Sequence, residues 1–223
     1  MKSINTERAF SRCRFERYVA ACDFDQEKAL QLYKANIRLS VKLFAVIGMF
    51  EVVFRNAIDQ HYRSRYGNNW LLQQAGPDGF FAKKGCEKTR ENIIGSILKF
   101  GTDFTHDKVV ADLGLAFWRN LFAPKEFAAG GSSLLAIFKN KPYGFGFNHT
   151  YVFNNLNPVN ELRNRVAHHD PVCFAPKTSV ISCELPLRVH RAVAEMLYWM
   201  DFDPDEILED IDFVLEEIDL ITR

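Results

Sequence analysis

Residues 25–66 read DQEKALQLYKANIRLSVKLFAVIGMFEVVFRNAIDQHYRSRY, and their spacing decides the fold class. Leu30, Tyr33, Ile37, Val41, Phe44, Ile47 and Phe54 fall three, four or seven apart. That is the period of one face of an α-helix and not the alternation of a strand. Gly67-Asn68 ends the run.

The same period recurs on both sides. Upstream, Thr6 is placed to cap a first helix reaching about Cys22. Downstream, helices are expected over Lys84–Phe100, over Asp107–Phe122 with a break near Gly114, and briefly around Ser133–Phe138. Asn157-Pro158 reads as a helix start, with Asn as cap and Pro in the first turn. Pro171 requires that helix to end by Asp170. Residues 171–183 read as a connector, and Glu184–Met200 as a helix that tolerates Pro186 in its first turn. Asp203-Pro204 opens a last helix whose apolar stripe is Ile207, Ile211, Val214, Leu215 and Ile218. The segments 67–83 and 123–148 are rich in Gly and Pro and read as surface insertions. No strand-rich region or repeat is present. The expectation is all-α: a single helical domain over residues 1–223, a bundle with irregular loop insertions.

Composition narrows the setting. Twenty phenylalanines and 48% apolar residues suffice for an aromatic core. The formal charge is zero, with 28 basic and 28 acidic residues, but residues 201–223 hold ten acidic and one basic. The rest therefore holds 27 basic against 18 acidic, a surplus that suits a polyanion partner, with an acidic C-terminal helix over 203–222. Five irregularly spaced cysteines point to free thiols in a reducing compartment. Arg8, Arg12, Arg14 and Arg17 interrupt any apolar leader, and Lys42 and Glu51 interrupt the most apolar stretch, Leu39–Phe54. A cytoplasmic protein without a membrane span is expected.

Chemistry concentrates in 157–171, where Arg163-Asn164-Arg165-Val166-Ala167-His168-His169-Asp170-Pro171 crowds basic, amide and imidazole groups at a predicted helix end. Cleaving RNA without a metal needs such parts. A base takes the proton of the ribose 2′-OH, an acid protonates the departing 5′-oxygen, and a cation offsets charge growing on the phosphoryl oxygens. Histidine titrates near neutrality, and arginine offers a charged planar fork. Spacing alone does not complete the site, because Arg163 and His168 lie roughly 140° apart on an ideal helix. Asn164 and His168 share a face, as do Arg165 and His169. The plain alternative is a polar helix end with solvated histidines.

The block Leu162-Arg163-Asn164-Arg165-Val166-Ala167-His168-His169-Asp170-Pro171 resembles the signature of the Abi-like proteins, the bacterial abortive-infection family within the HEPN superfamily. That superfamily's motif is an Arg, usually followed by a polar residue, with a His five to seven positions after the Arg. Arg163, Asn164 and His168 match it. Two more stretches resemble the family pattern, Glu51-Val52-Val53-Phe54-Arg55-Asn56-Ala57-Ile58 and Leu113-Gly114-Leu115-Ala116-Phe117-Trp118-Arg119-Asn120-Leu121-Phe122. The three lie in the expected order within residues 30–200.

The resemblance implies a helical bundle that often forms a homodimer, with two motifs meeting in one cleft. It implies metal-independent endoribonuclease activity leaving a 2′,3′-cyclic phosphate, with Arg163, Asn164 and His168 catalytic. It implies toxin-like use in phage defence, with RNA as substrate and an antitoxin, protein or RNA, as partner. Some relatives carry a modified Tyr two positions after the motif His; Asp170 stands there in this chain, so that control is not supported. Two other readings remain open: a non-catalytic sensor or scaffold that binds RNA or a nucleotide, and a helical interaction module docking through its acidic C-terminal helix.

Supporting or RNA-binding roles are expected for Arg165, His169, Arg55 and Asn56. His169 is the rival of His168 for proton transfer. Arg55-Asn56…His61 also fits the loose Arg-to-His spacing, but within the long helix, which favours a structural role. Gly130-Gly131-Ser132-Ser133 reads as a loop and cap, and Phe117, Trp118 and Phe122 as core. His168, His169, Cys173 and Cys183 match no standard zinc spacing, and no metal or other cofactor is expected.

Overall fold

In the computed structural model, which describes residues 10–144 and 146–223, the long run forms one helix, Gln26–Tyr66. It is the second of eleven α-helices among the described residues, and no strand is formed there. We label them α1 (Arg12–Ala21), α2 (Gln26–Tyr66), α3 (Trp70–Ala75), α4 (Glu87–Phe100), α5 (His106–Asp112) and α6 (Leu115–Asn120). The remainder are α7 (Pro124–Ala129), α8 (His149–Ala167), α9 (Glu184–Trp199), α10 (Pro204–Ile207) and α11 (Val214–Thr222). The protein is all-α. The expected cap Thr6 lies outside the described residues.

The start and stop of α2 follow from local chemistry. The Asp25 carboxylate accepts from the Glu27 and Lys28 N–H groups at 3.0 and 3.1 Å, satisfying donors that a helix start leaves open. Gly67 closes the helix at φ +88°, where L side chains are strained. The buried stripe only partly coincides with the one that marks the helix in the sequence: Ile47 and Phe54 belong to both. Leu32, Leu39, Leu43, Phe50, Phe54, Ile58 and Tyr62 are buried, whereas Val41 and Phe44 are 60% and 52% exposed. The helix is apolar on two sides, and its packed side continues at helical spacing to Tyr62.

Three further expectations are corrected. The motif helix α8 begins at His149 and carries Pro158 in its interior. Asn148 starts it, with Oδ1 accepting from the Tyr151 N–H at 2.9 Å. An interior proline costs about 3 kcal/mol. Val152, Leu156, Val159, Leu162 and Val166 are all buried on one stripe at about 1.5–3 kcal/mol each, which outweighs that cost. The last helix is broken into α10 and α11. Asp210 sits at φ +61°, and Asp212 accepts from the Val214 N–H at 3.2 Å and binds His190 Nε2 at 2.6 Å. The segments 67–83 and 123–148 are not surface insertions either. Trp70, Phe81, Phe127, Leu134 and Phe138 are buried, and α3 and α7 form within these segments.

Contacts group the chain into two compact units. One comprises Met1–Ile47, Glu161–Arg191 and Leu208–Arg223; the other comprises Gly48–Asn160 and Ala192–Ile207. In the first, Tyr18 packs edge-on against Phe174 at 5.0 Å and Tyr33 at 5.1 Å. Val214, Ile218 and Ile221 of α11 are buried, and Arg38 pairs with Glu217 at 3.1 Å.

The second unit is built on aromatics: Phe50, Phe54, Phe122 and Phe138 follow one another at 5.4, 5.8 and 6.0 Å. Phe117, Trp118 and Phe122 are core residues, as their sequence context predicts. The same unit holds a polar knot. Asp59 accepts from Trp70 Nε1 at 2.8 Å, His106 Nε2 at 2.7 Å and Arg63 Nε at 2.6 Å. An ionised carboxylate only accepts, so His106 carries its proton on Nε2, and its buried Nδ1 has no partner among the described residues.

Candidate active site

The sequence places Arg163, Asn164, Arg165, His168 and His169 on the last turns of α8 and the turn after it, all in the first unit. The helix ends at Ala167, by Asp170 as Pro171 requires. His169 adopts φ +56°, and two hydrogen bonds close the end: His169 N–H to the Val166 carbonyl at 3.0 Å and Asp170 N–H to the Arg165 carbonyl at 2.8 Å. This is the usual way a helix stops on a left-handed residue, with proline following shortly after. Histidine is among the few non-glycine residues that occupy this conformation readily.

The turn is fixed from several sides. Arg165 donates to the Pro171 carbonyl, so its guanidinium serves the chain just beyond the motif. Asp170 faces Arg14 at 3.8 Å, both partly exposed. Asn36 of α2, 1% exposed, accepts through Oδ1 from the Val172 and Cys173 N–H groups at 2.8 and 3.2 Å. Arg17 of α1 donates to the Thr178 and Ala175 carbonyls at 2.6 and 2.9 Å and lies over the Phe174 ring at 4.5 Å. Neither Asn36 nor Arg17 is singled out by sequence reasoning. The available signal is a lone asparagine on the buried stripe of α2.

Burial pushes the Cys173 thiol up to about 12, with Cys183 adding to the shift, and burial pushes Cys183 up to about 11. Both stay protonated thiols, poor as nucleophiles or metal ligands. No group of three or more His, Cys, Asp or Glu among the described residues is placed to hold a metal ion.

What this end presents to solvent is selective. Asn164, His168 and His169 are exposed, while Arg163 and Arg165 are partly buried. The His168 N–H bonds the Asn164 carbonyl at 3.0 Å, so these two residues stand one helical turn apart on the same side. The helix is regular through Ala167, so Arg163 keeps its offset from that side and reaches it only through its long side chain. Beside the turn, His169, Val166 and Ala167 border an apolar groove of about 400 Å³ with Ile37, Val41 and Phe44.

Two of the four supporting residues expected from the sequence, Arg55 and Asn56, belong to the second unit. Arg55 Nη1 donates to the Ala111 carbonyl at 3.3 Å, while its Nε is buried without a partner among the described residues. Glu51, in the same resembling stretch, accepts from the Leu115 N–H at 2.8 Å and so caps α6 in the other. Asn56 is exposed and borders a cleft with His61. His61 Nε2 and Ser133 Oγ are 2.9 Å apart, and burial followed by the charge of Arg65 holds the His61 pKa below its ordinary value. Among the described residues no helix is long and apolar enough to cross a membrane. Comparison of the chain with protein-family models, with curated proteins and with solved structures finds no match.

Proposed function

We propose that this chain is a metal-independent endoribonuclease of the HEPN kind, resembling the Abi-like family. In this reading His168 moves the proton at the ribose 2′-OH or at the leaving 5′-oxygen. Arg163 offsets charge on the phosphoryl oxygens, and Asn164 orients the phosphate. The observation that carries the proposal is the helix end itself. His168 stands in solvent directly after α8, one turn from Asn164, on a segment pinned by Asn36, Arg17 and a closed left-handed turn. A proton-transfer group needs that combination of access and fixed backbone.

A homodimer with a shared cleft supplies the second proton-transfer group that one His168 lacks. Val41 and Phe44, exposed beside His169 in the first unit, support that form. Toxin-like action in phage defence, in the cytoplasm and restrained by an antitoxin, belongs to the same proposal. The test is incubation of purified protein with RNA in EDTA. Wild type is expected to leave 2′,3′-cyclic phosphate ends and His168→Ala to leave none. Equal cleavage by the two sinks the proposal, and a strictly monomeric species in light scattering at micromolar concentration sinks the shared-cleft form.

The reading as an interaction module docking through the acidic C-terminal helix is less favoured. Val214, Ile218 and Ile221 of α11 are buried, and Glu217 is paired with Arg38, so that helix is already docked within its own unit.

A further inference from the structure

The second unit holds an open cleft of about 500 Å³ that the proposed cleavage chemistry does not use. Its volume falls in the range of small-molecule sites. One wall is α2, which contributes Asn56, Gln60 and His61. The opposite walls are short segments bearing Ile137 and Lys139, and Met200 and Phe202.

The walls are tied together before any ligand arrives. Asn140 donates from its backbone N–H to the Trp199 carbonyl at 3.0 Å and from Nδ2 to Asp201 Oδ1 at 3.1 Å. Lys139 pairs with Asp201 at 3.0 Å. His61 is held by Ser133 through Nε2, and no described residue takes its other ring nitrogen. A site whose walls are fixed in advance loses less ordering entropy on binding.

The lining selects the ligand by chemistry. Lys139 at the rim is paired with Asp201 at 3.0 Å, so an incoming phosphate or carboxylate competes with a carboxylate already in place. Asn56 and Gln60 lie one turn apart on α2, and each carboxamide presents a donor and an acceptor side by side. The edge of a nucleobase carries the matching adjacent acceptor and donor. Ile137, Met200 and Phe202 offer an apolar, partly aromatic surface for the face of the ring. His61 is desolvated in part and favours its neutral form, which suits an uncharged ligand.

We propose that this cleft binds a nucleobase, reading its edge with Asn56, Gln60 and His61 and covering its face with Phe202. The inference deepens the ribonuclease reading and rests on it for the source of the base. It does not use Arg163, Asn164 or His168, so the two can fail separately.

The experiment is calorimetric titration of the full-length protein with the four ribonucleoside monophosphates, with ribose 5-phosphate, and with a non-cleavable 2′-O-methyl oligoribonucleotide. Nucleotides are expected to bind with a preference among bases, and ribose 5-phosphate is not. The Asn56→Ala/Gln60→Ala double variant and Phe202→Ala are each expected to weaken binding about tenfold, the scale of losing a base contact or a stacked surface. All three side chains are exposed, so folding should survive, and circular dichroism checks it.

Ribose 5-phosphate binding as well as a nucleotide overturns the inference. So does a lack of nucleotide binding at about 1 mM, or unchanged affinity in both cleft variants. Tighter binding of the oligomer than of a monophosphate, lost in the same variants, identifies an RNA strand as the source; equal affinity identifies free nucleotide. Cyclic-phosphate products without nucleotide binding would leave the ribonuclease reading standing and remove this one.

Discussion

Two segments of this chain carry the same outline, Arg55-Asn56…His61 and Arg163-Asn164…His168, and the fold treats them differently. The first lies inside α2, where Arg55 is turned to the Ala111 carbonyl and His61 to Ser133. The second lies at the end of α8, where the backbone is closed by the chain's own carbonyls and His168 is left in solvent. Arginine and histidine at a given spacing therefore say little alone. What separates the two is the helix end: a left-handed residue followed by proline exposes the last imidazole, whereas a continuing helix gives neighbours time to engage it.

The sharpest way to break this comparison is to remove each histidine. His168→Ala is expected to lower RNA cleavage by about 10²–10⁴-fold, the usual contribution of a general acid or base. His61→Ala is expected to leave kcat at saturating RNA near wild type while lowering stability by about 1 kcal/mol through its lost hydrogen bond. Single-turnover cleavage and urea denaturation measure both. Equal losses of kcat would erase the distinction.

Next in size is the polar knot of the second unit, where polar groups satisfy one another and serve stability. Burial raises the pKa of Asp59, but hydrogen bonds from His106, Trp70 and Arg63 outweigh it and hold the group below the usual carboxylate range. Asp59→Ala leaves the Trp70 and His106 donors buried and unpaired, and is expected to cost about 3–5 kcal/mol in urea denaturation. The sign of the pH dependence follows. A depressed folded-state pKa contributes stability that is fully present above the ordinary aspartate value, about 3.9, and is lost as pH falls through the folded value. The acid limb of the wild-type stability curve should therefore be steeper than that of Asp59→Ala below about pH 4.

Asn36 tests whether the turn after α8 depends on hidden support. It satisfies two buried N–H groups just past the motif. Asn36→Ala strands both, and should cost about 2–4 kcal/mol of stability. Cleavage measured well below the melting temperature should also fall, because His168 then stands on a looser segment. A stability loss with unchanged kcat would show that the turn holds itself.

These residues also mark what the sequence could reveal. The helical class was legible because apolar residues in 25–66 keep a helical period, and the end of α8 was legible because Pro171 disfavours helix in the residue before it. The packed face of α2 was not, since both sides are apolar and only tertiary contacts choose between them. Asn157-Pro158 misled because a helix start and a tolerated interior proline look alike locally, and the five buried side chains that decide the matter are spread over fifteen positions. The break at Asp210 was hidden because an acidic run suits a solvated helix as well as a turn. Asn36 could not be read as a staple, because its partners lie more than a hundred residues away in sequence. Of the candidate site, the cluster of residue types was readable, while the left-handed role of His169 was not.

His169 gives the smallest effect and the finest cut. Its φ of +56° costs a side-chain-bearing residue energy that glycine does not incur, although glycine also gains freedom in the unfolded chain. At a helix-terminating left-handed position the first effect wins, so His169→Gly should raise stability by about 0.5–1 kcal/mol. If histidine stands here only to turn the chain, cleavage should be unchanged. If its imidazole shares proton transfer with His168, cleavage should fall although the protein becomes more stable. Opposite signs in the two measurements would assign the His169 imidazole a part in holding or cleaving RNA, because loss of fold stability could not then account for the loss of activity.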